Sequence, residues 1–419
     1  MSRPQAAIVV TGSELVRGDR NDLNGPFYAR EALRLGLEPS RITIVGDRPE
    51  DLLAAISQGL DADVLLVSGG LGPTHDDRTV ELVAAAVGRP LALDPTLEHE
   101  IGEVSRSFAI RMRRPYADFE QGVTKQATIP EGAISLGLAG TAPGLVVDTG
   151  SCVVVVLPGP PSELQRLWPR ALGTEPVQRV LARTVAPTRR VLRAYGVSES
   201  AVARALADAG GDGAGVEVTI CARDFELHVD ILAEPGAEIE AENLVARLRA
   251  PIAEHVFSED EAPIEELVLD ACRARALTLG TAESCTGGMI AARLTDVAGS
   301  SDVFRGGVVA YANDIKEQEL DVPAELLAAH GAVSAEVAAA MAHGARRRLA
   351  VDVAVAVTGI AGPGGGTPEK PVGLVFLHAA GPDGDLVQQF EMPRDRDWIR
   401  SRATVAALHL LRRLLSSDA

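Results

Sequence analysis

Two side chains able to attack a carbonyl stand side by side in Thr281-Ala-Glu-Ser-Cys-Thr-Gly-Gly288, where Ser284 and Cys285 follow a short apolar run and precede two glycines and a helical pattern. A tight connection of this kind exposes the side chain at its bend and aims backbone N–H groups at whatever lies before the helix, which suits a nucleophile beside an oxyanion pocket. By intrinsic reactivity the thiol is the better nucleophile, whereas a serine hydroxyl needs a base. No histidine pattern stands nearby. Lys316, in Asn313-Asp-Ile-Lys316, is the candidate: partial burial depresses an amine's pKa and lets it take the proton, with Tyr311 relaying or orienting it. The same residue types also serve structural ends, as helix caps and as solvated lysines.

Downstream, Thr358-Gly-Ile-Ala-Gly-Pro-Gly-Gly-Gly-Thr367 follows a buried run. Its glycines, Gly359, Gly362, Gly364 and Gly365 among them, permit close backbone approach, and serial amides form a concave anion site, so a substrate phosphate is expected here. Near the other end of the chain, Val67-Ser-Gly-Gly-Leu-Gly-Pro-Thr-His-Asp-Asp77 places Gly69, Gly70, Gly72, Thr74 and two carboxylates between a buried run and a helical pattern. Asp76 and Asp77 could hold a hard divalent cation together with substrate phosphates, with Asp47 reaching the same crevice, or could simply cap the helix. Thr141-Ala-Pro-Gly144 and Leu157-Pro-Gly-Pro-Pro161, with Gly159, supply rigid walls.

The elements that must position these groups alternate. Strand and helix patterns over 6–10, 25–35, 41–45, 49–60, 64–67 and 77–87, then a buried run at 152–157 and a helix near 162–168, imply a mostly parallel sheet covered by helices and closing near residue 172. From 173 to 258 the order strand, helix, two strands, helix reads as a small α+β module, a spacer or dimerisation element. Its Gly210-Gly-Asp-Gly213 has the spacing by which KH domains clamp a nucleotide backbone, yet Asp208 and Asp212 flank it without an adjacent basic residue, which favours a plain turn. The acidic Ser258-Glu-Asp-Glu-Ala-Pro263 marks the next boundary, and a further α/β domain occupies 261–419. There the strands are expected at 277–281, 306–311, 351–357 and 371–377.

With 419 residues the chain exceeds what one core usually supports. A net charge of −18 disfavours tracking along a phosphate backbone, so no nucleic acid is expected as a main partner. The sequence contains no run of eighteen apolar residues and its mean hydropathy is +0.11, which points to a cytoplasmic protein without membrane association. Four single cysteines lack paired spacing, so reduced thiols are expected. Three lysines, Lys125, Lys316 and Lys370, stand against 37 arginines; a lysine that remains marks a place where a cation must lose its proton.

The motifs Glu283-Ser-Cys-Thr-Gly-Gly288, Gly306-Gly-Val-Val-Ala-Tyr-Ala-Asn313, His330-Gly-Ala-Val-Ser334 and 358–373 resemble the C-terminal domain of the CinA (competence/damage-inducible protein A) family over residues 262–415. That resemblance implies a nicotinamide mononucleotide deamidase without a cofactor, with Ser284 as nucleophile, Tyr311 and Lys316 assisting, and Thr286, Gly287, Gly288, Asn313, Thr358 and Arg400 or Arg402 around the substrate. Residues 6–168 resemble the molybdopterin-binding-like domain that begins CinA proteins, implying a three-layer fold and a metal-dependent ADP-ribose pyrophosphatase built on Asp77. Both activities would serve pyridine nucleotide turnover. The chain departs from the family pattern at Gly12-Ser-Glu-Leu-Val16, Asp22-Leu-Asn24, Val123 and Gly137-Leu138, losing polar groups at two positions. A non-catalytic nucleotide- or pterin-binding N-terminal regulator and a non-enzymatic adaptor linked to competence or DNA damage are the other readings. A homodimer is expected.

Overall fold

The computed structural model describes residues 3–416. They form two compact units, one running to Thr188 with the segment Ala233–Glu238, the other comprising Arg189–Leu232 and the chain from Ile239 onward.

In the first unit the strands are β1 (Gln5–Thr11), β2 (Glu38–Val45), β3 (Val64–Ser68), β4 (Leu91–Leu93), β5 (Thr128–Pro130), β6 (Ile134–Leu138), β7 (Pro143–Asp148) and β8 (Val153–Leu157). Six of them make one sheet in the order β2-β1-β3-β8-β7-β6, and β4 pairs with β5. The first four in that order run parallel, whereas β7 and β6 are antiparallel. Successive strand side chains point to opposite faces. Accordingly Ala7, Val9, Leu65 and Val67 join a core with Leu52, Ile56, Leu97 and Ile101, while Ala6, Ile8, Val10 and Leu66 join a second with Tyr28, Leu164, Leu167 and Trp168. The result is the expected three layers, helices on both faces of the sheet. The expected boundary at 172 falls short: the helix Glu175–Leu181 buries Val177 and Val180 in the second core. Two apolar residues three apart share one face of a helix, and here that face is held by the first domain.

In the second unit a sheet in the order β10-β11-β9-β12, built from β9 (Thr188–Ala194), β10 (Val216–Arg223), β11 (Glu226–Ala233) and β12 (Val256–Ser258), carries the helices Glu199–Asp208 and Glu238–Arg249. The Gly210–Gly213 loop is a turn from helix to β10, and the Asp212 carboxylate accepts from the Val218 amide at 2.7 Å. The remaining sheet, in the order β14-β13-β15-β16-β17, contains β13 (Leu279–Glu283), β14 (Phe304–Val309), β15 (Val353–Gly359), β16 (Leu374–Ala380) and β17 (Asp385–Glu391). The first three run parallel and the last two antiparallel. One face packs Val353, Val355 and Val357 against the final helix Arg396–Ser416 through Ile399, Ala403 and Leu410. The other presents Ala354 and Ala356 to Met341 and Ala345 of the helix Ala335–Leu349. Small residues on that face let the helix approach. Among the described residues no helix is long and apolar enough to cross a membrane.

Candidate active site

The parallel strands β13, β14 and β15 end at one edge of their sheet, and each hands a functional segment to it. This carboxyl edge is where open α/β sheets gather their ligand-binding loops. Ser284 follows β13, its amide donating to the Val357 carbonyl of β15 at 3.0 Å. Ala310 follows β14, its amide donating to the Glu283 carbonyl at 2.8 Å. These bonds hold the turns after β13 and β14 beside each other, and the helix Asn313–Leu320 then brings Lys316 back beneath them.

Lys316 is 1% exposed, and its Nζ lies 3.1 Å from Ser284 Oγ. The same nitrogen donates to the carbonyl oxygens of Ala310 at 2.8 Å and Tyr311 at 3.3 Å. Two carbonyls take two N–H donors, so a neutral amine turns its lone pair toward the serine. Burial lowers the amine's pKa, because the charged form loses solvation. Ser284 keeps 8% of its surface. Cys285 is buried, and desolvation pushes its thiol up to about 12, which leaves it protonated and a poor nucleophile at neutral pH.

Glu283, which the sequence motif contains without a role, is buried at the end of β13. Its carboxylate accepts the amides of Gly288 at 2.9 Å, Ile290 at 3.1 Å and Ala291 at 2.9 Å. The helix Met289–Asp296 is thereby capped from inside the sheet, so its N-terminus is not the open anion site anticipated from the two glycines. Gly288 serves as the N-cap with φ 100°, a left-handed conformation that favours glycine. Glu283 leaves untouched the amides of Cys285 and Thr286, while the Gly287 amide turns back to the Ser284 carbonyl. Thr286 is fully buried, and its hydroxyl has no partner among the described residues.

Tyr311 meets Lys316 through its backbone carbonyl; its ring is 60% exposed and its hydroxyl accepts from Arg396 at 2.9 Å. Of the two expected roles, relaying or orienting, the geometry matches orientation, made by the main chain and not by the hydroxyl. Arg396 also donates to the Gly362 carbonyl at 2.8 Å, joining the glycine-rich loop to the tyrosine. It stands one helical turn before Arg400, and that i,i+4 spacing was the signal available in the sequence. Arg400 donates to the carbonyls of Cys285 at 3.1 Å and Thr286 at 3.0 Å, bracing the nucleophile turn. Arg402 points elsewhere: its guanidinium lies 4.9 Å over the Tyr195 ring and 5.6 Å over Phe225 of the middle module. Residues two apart on a helix are separated by about 200°, so the two arginines cannot share a face. Thr358 is buried and donates to the Ala332 carbonyl at 2.7 Å, and Lys370 donates to the carbonyls of His330 and Val333. The His330–Ser334 motif is therefore the anchor of the glycine-rich loop. Gly359 ends β15, Gly362 is buried, Gly364 and Gly365 are exposed, and Asn313 is exposed at the start of its helix.

In the first unit the carboxyl ends of β1, β2, β3 and β8 surround a cleft of about 330 Å³ lined by Gly69, Gly70, Gly72, Asp47, Asp76, Asp77, Thr141 and Gly159. Glu14 and Glu163, not singled out from sequence, line it too, and burial raises the Glu163 pKa. Thr74 links the pair: its hydroxyl donates to Asp76 and, at 2.5 Å, to Asp77, whose carboxylate also accepts the Thr74 amide at 3.0 Å. That hydroxyl is the main reason the Asp76 pKa is lowered. Lys125 donates to the Thr74 carbonyl. Asp47 is committed elsewhere, accepting from Ser13 Oγ at 2.6 Å, the Ser13 amide at 3.0 Å and Thr11 Oγ1 at 3.1 Å. The three aspartates do not bring three ligand atoms together, and among the described residues the only group that does is His343, His378 and Asp385. The hard-oxygen pair Asp76 and Asp77 fits a divalent cation completed by substrate phosphates, whereas Asp47 already spends three of a carboxylate's roughly four acceptor sites on Ser13 and Thr11. At the departures from the family pattern, Asn24 Nδ2 donates to Ser68 Oγ at 2.8 Å and to the Gly159 carbonyl at 2.7 Å, and Val123 is buried.

Comparison with known proteins agrees with this layout. Residues 7–175 match the probable molybdopterin binding domain, 189–259 the damage-inducible protein CinA KH domain, and 261–415 the CinA C-terminal domain. The chain is 47% identical over 425 residues to a CinA-like protein of Mycolicibacterium gilvum, covering 98% of this chain and 99% of that protein. It is 45% identical over 426 residues to a CinA-like protein of Mycobacterium tuberculosis, covering 98% and 97%. The solved structure of competence/damage inducible protein CihA from Agrobacterium tumefaciens is 44% identical, with a TM-score of 0.36, and covers 38% of this chain and all of that one. Near-complete coverage at such identity makes this chain a member of the CinA family.

Proposed function

We propose that the second unit is a serine amidohydrolase acting on nicotinamide mononucleotide, releasing ammonia and nicotinic acid mononucleotide. The observation that carries the chemistry is the buried Lys316 Nζ at 3.1 Å from Ser284 Oγ, with two carbonyls engaging its remaining donor directions. The choice of substrate rests on the family resemblance. Neutral Lys316 takes the Ser284 proton as Oγ bonds to the carboxamide carbon. The amides of Cys285 and Thr286 face the developing oxyanion, a kind of contact that contributes about 3–4 kcal/mol per good donor. Collapse breaks the C–N bond, and the Lys316 ammonium returns its proton to the departing nitrogen, which leaves as ammonia. A water then loses a proton to Lys316 and attacks the ester, freeing the carboxylate and Ser284. Arg396 and the glycine-rich loop stand at the same edge to receive the nucleotide phosphate. Ammonia release from nicotinamide mononucleotide tests this reading: Ser284→Ala should abolish it, and full activity in that variant would end the assignment.

The acidic cleft of the first unit favours a second activity, metal-dependent hydrolysis of ADP-ribose. Five carboxylates, Glu14, Asp47, Asp76, Asp77 and Glu163, repel a bare pyrophosphate, so the substrate must arrive with a cation. Asp76 and Asp77 would hold such a divalent ion, which would supply charge neutralisation for the pyrophosphate. Lys125 and Thr74 fix the loop that presents the pair. Asp77→Asn should lose hydrolysis with Mg²⁺ or Mn²⁺ present; equal rates in both proteins would leave this cleft a binding site only. Small nucleotides as ligands, and a cytoplasmic homodimer as the working form, complete the proposal.

A further inference from the structure

We propose that His343, His378 and Asp385 form a zinc site in the second unit, apart from the turn that carries Ser284. His378 lies in β16, Asp385 begins β17, and His343 comes from the helix Ala335–Leu349 packed on the sheet. Register places Ala380, Asp385's partner, opposite Ala354 near the start of β15, whereas Ser284 follows the carboxyl edge. The site is therefore separate from the deamidase machinery.

Asp385 Oδ2 lies 3.0 Å from His378 Nε2 and 3.1 Å from His343 Nε2, and the three ligand atoms all fall within 4.8 Å of one another. A tetrahedral zinc with bonds of about 2.0 Å has ligand-to-ligand edges of about 3.3 Å. Two edges are thus nearly in place, and a swing of the half-exposed His343 ring closes the third. His378 is buried, and among the described residues its other ring nitrogen has no hydrogen-bond partner, so Asp385 supplies the hydrogen bond that orients the ring. Two imidazoles and one carboxylate suit Zn²⁺ over Mg²⁺ or Ca²⁺, which prefer all-oxygen sites. The neighbouring cations are occupied: Arg346 donates to the Gly381 carbonyl at 2.9 Å and Arg347 pairs with Asp321 at 3.8 Å. The half-exposed His343 and Asp385 leave the fourth position to water. A bound ion would fasten the helix to the β16–β17 hairpin and thereby stabilise the fold.

The test uses the full chain stripped with EDTA. Titration with Zn²⁺ by calorimetry should show one equivalent bound, and Co²⁺ should develop the visible bands of a tetrahedral or five-coordinate nitrogen/oxygen site. Asp385→Asn and His343→Gln should each weaken Zn²⁺ at least about 100-fold, while Cys221→Ser, which removes the exposed thiol, leaves binding unchanged. Wild-type affinity in both ligand variants, or no stoichiometric binding in the wild type, overturns the proposal. Should either variant fail to fold by circular dichroism, X-ray absorption of the zinc-loaded wild type decides: two imidazoles support the site, and sulfur ligation refutes it.

Discussion

Replacing Lys316 with methionine keeps most of the buried stem and removes only the amine that faces Ser284. Three consequences follow from the contacts of Nζ. The serine loses its base, which typically costs 10²–10⁴ in rate, so kcat/KM for nicotinamide mononucleotide should fall about 10³-fold, or about 4 kcal/mol of transition-state stabilisation. The carbonyls of Ala310 and Tyr311 lose their donor inside the protein, which should reduce stability by about 1–3 kcal/mol. The pH profile should change as well. An ordinary lysine is neutral to only about 0.1% at pH 7.5, and each unit of downward shift raises that fraction tenfold. Burial shifts Lys316 downward, so wild-type kcat/KM should rise with pH along a limb centred below the usual lysine value. The stability contribution has the matching sign, present above the unfolded pKa of about 10.4 and lost as pH falls through the folded one. Lys316→Arg separates base from charge, since guanidinium keeps the cation but cannot surrender a proton. Ammonia release coupled to a spectrophotometric assay, with urea melts to confirm folding, measures all of this. A folded Lys316→Met or Lys316→Arg protein within tenfold of wild type would refute the reasoning.

Cys285→Ala should retain deamidase activity within about threefold, because the thiol is buried and protonated; loss of the same order as in Ser284→Ala would reassign the nucleophile. Arg396→Ala unties Tyr311 from the glycine-rich loop and should raise KM about tenfold or more with kcat nearly unchanged, as expected for a lost charged hydrogen bond to substrate or loop; an unaltered KM would remove it from the site. His409 is buried against Glu226 at 2.8 Å and stacked on Tyr195, and burial lowers its pKa to about 4. Stability should therefore be complete above about pH 6.5 and decline by about 3 kcal/mol as pH falls toward 4, a slope that His409→Gln should flatten in urea melts at stepped pH.

Much of this site could be read from residue order, because its chemistry sits at strand ends. An apolar run followed by Ser284, a second followed by Tyr311 and Lys316, and a third followed by glycines must meet at one edge if the three strands run parallel, and they do. The expected strand at 277–281 ends two residues early, since hydrophobic periodicity does not show that Thr281-Ala-Glu283 continues into the buried sheet. That shift hid Glu283: a carboxylate at the sheet's end reads as a loop residue, not as an internal helix cap. Sequence order did not show which part of Tyr311 meets Lys316, for a related cause. β14 ends at Val309, so the backbone of Tyr311 turns toward Lys316 while the ring leaves toward Arg396. Arg400 and Arg402 look equivalent in sequence, and only the helix phase, set by which face packs on β15, separates them.

Lysine scarcity carries the last step. The three lysine nitrogens all end on backbone carbonyls of loops that shape the two candidate sites: Lys125 on Thr74, Lys316 on Ala310 and Tyr311, Lys370 on His330 and Val333. A compact nitrogen with rotatable donors on a flexible stem can gather carbonyls that a planar guanidinium cannot reach together. Scarcity thus has two causes in this chain, and only Lys316 adds a serine hydroxyl to its carbonyl partners. Exposure separates the two roles, for Lys316 is almost wholly buried and shifted downward while Lys125 lies against exposed Thr74. Exchange of Lys370 for arginine should therefore loosen the glycine-rich loop and weaken substrate binding while sparing the pH limb, whereas exchange of Lys316 abolishes the limb itself.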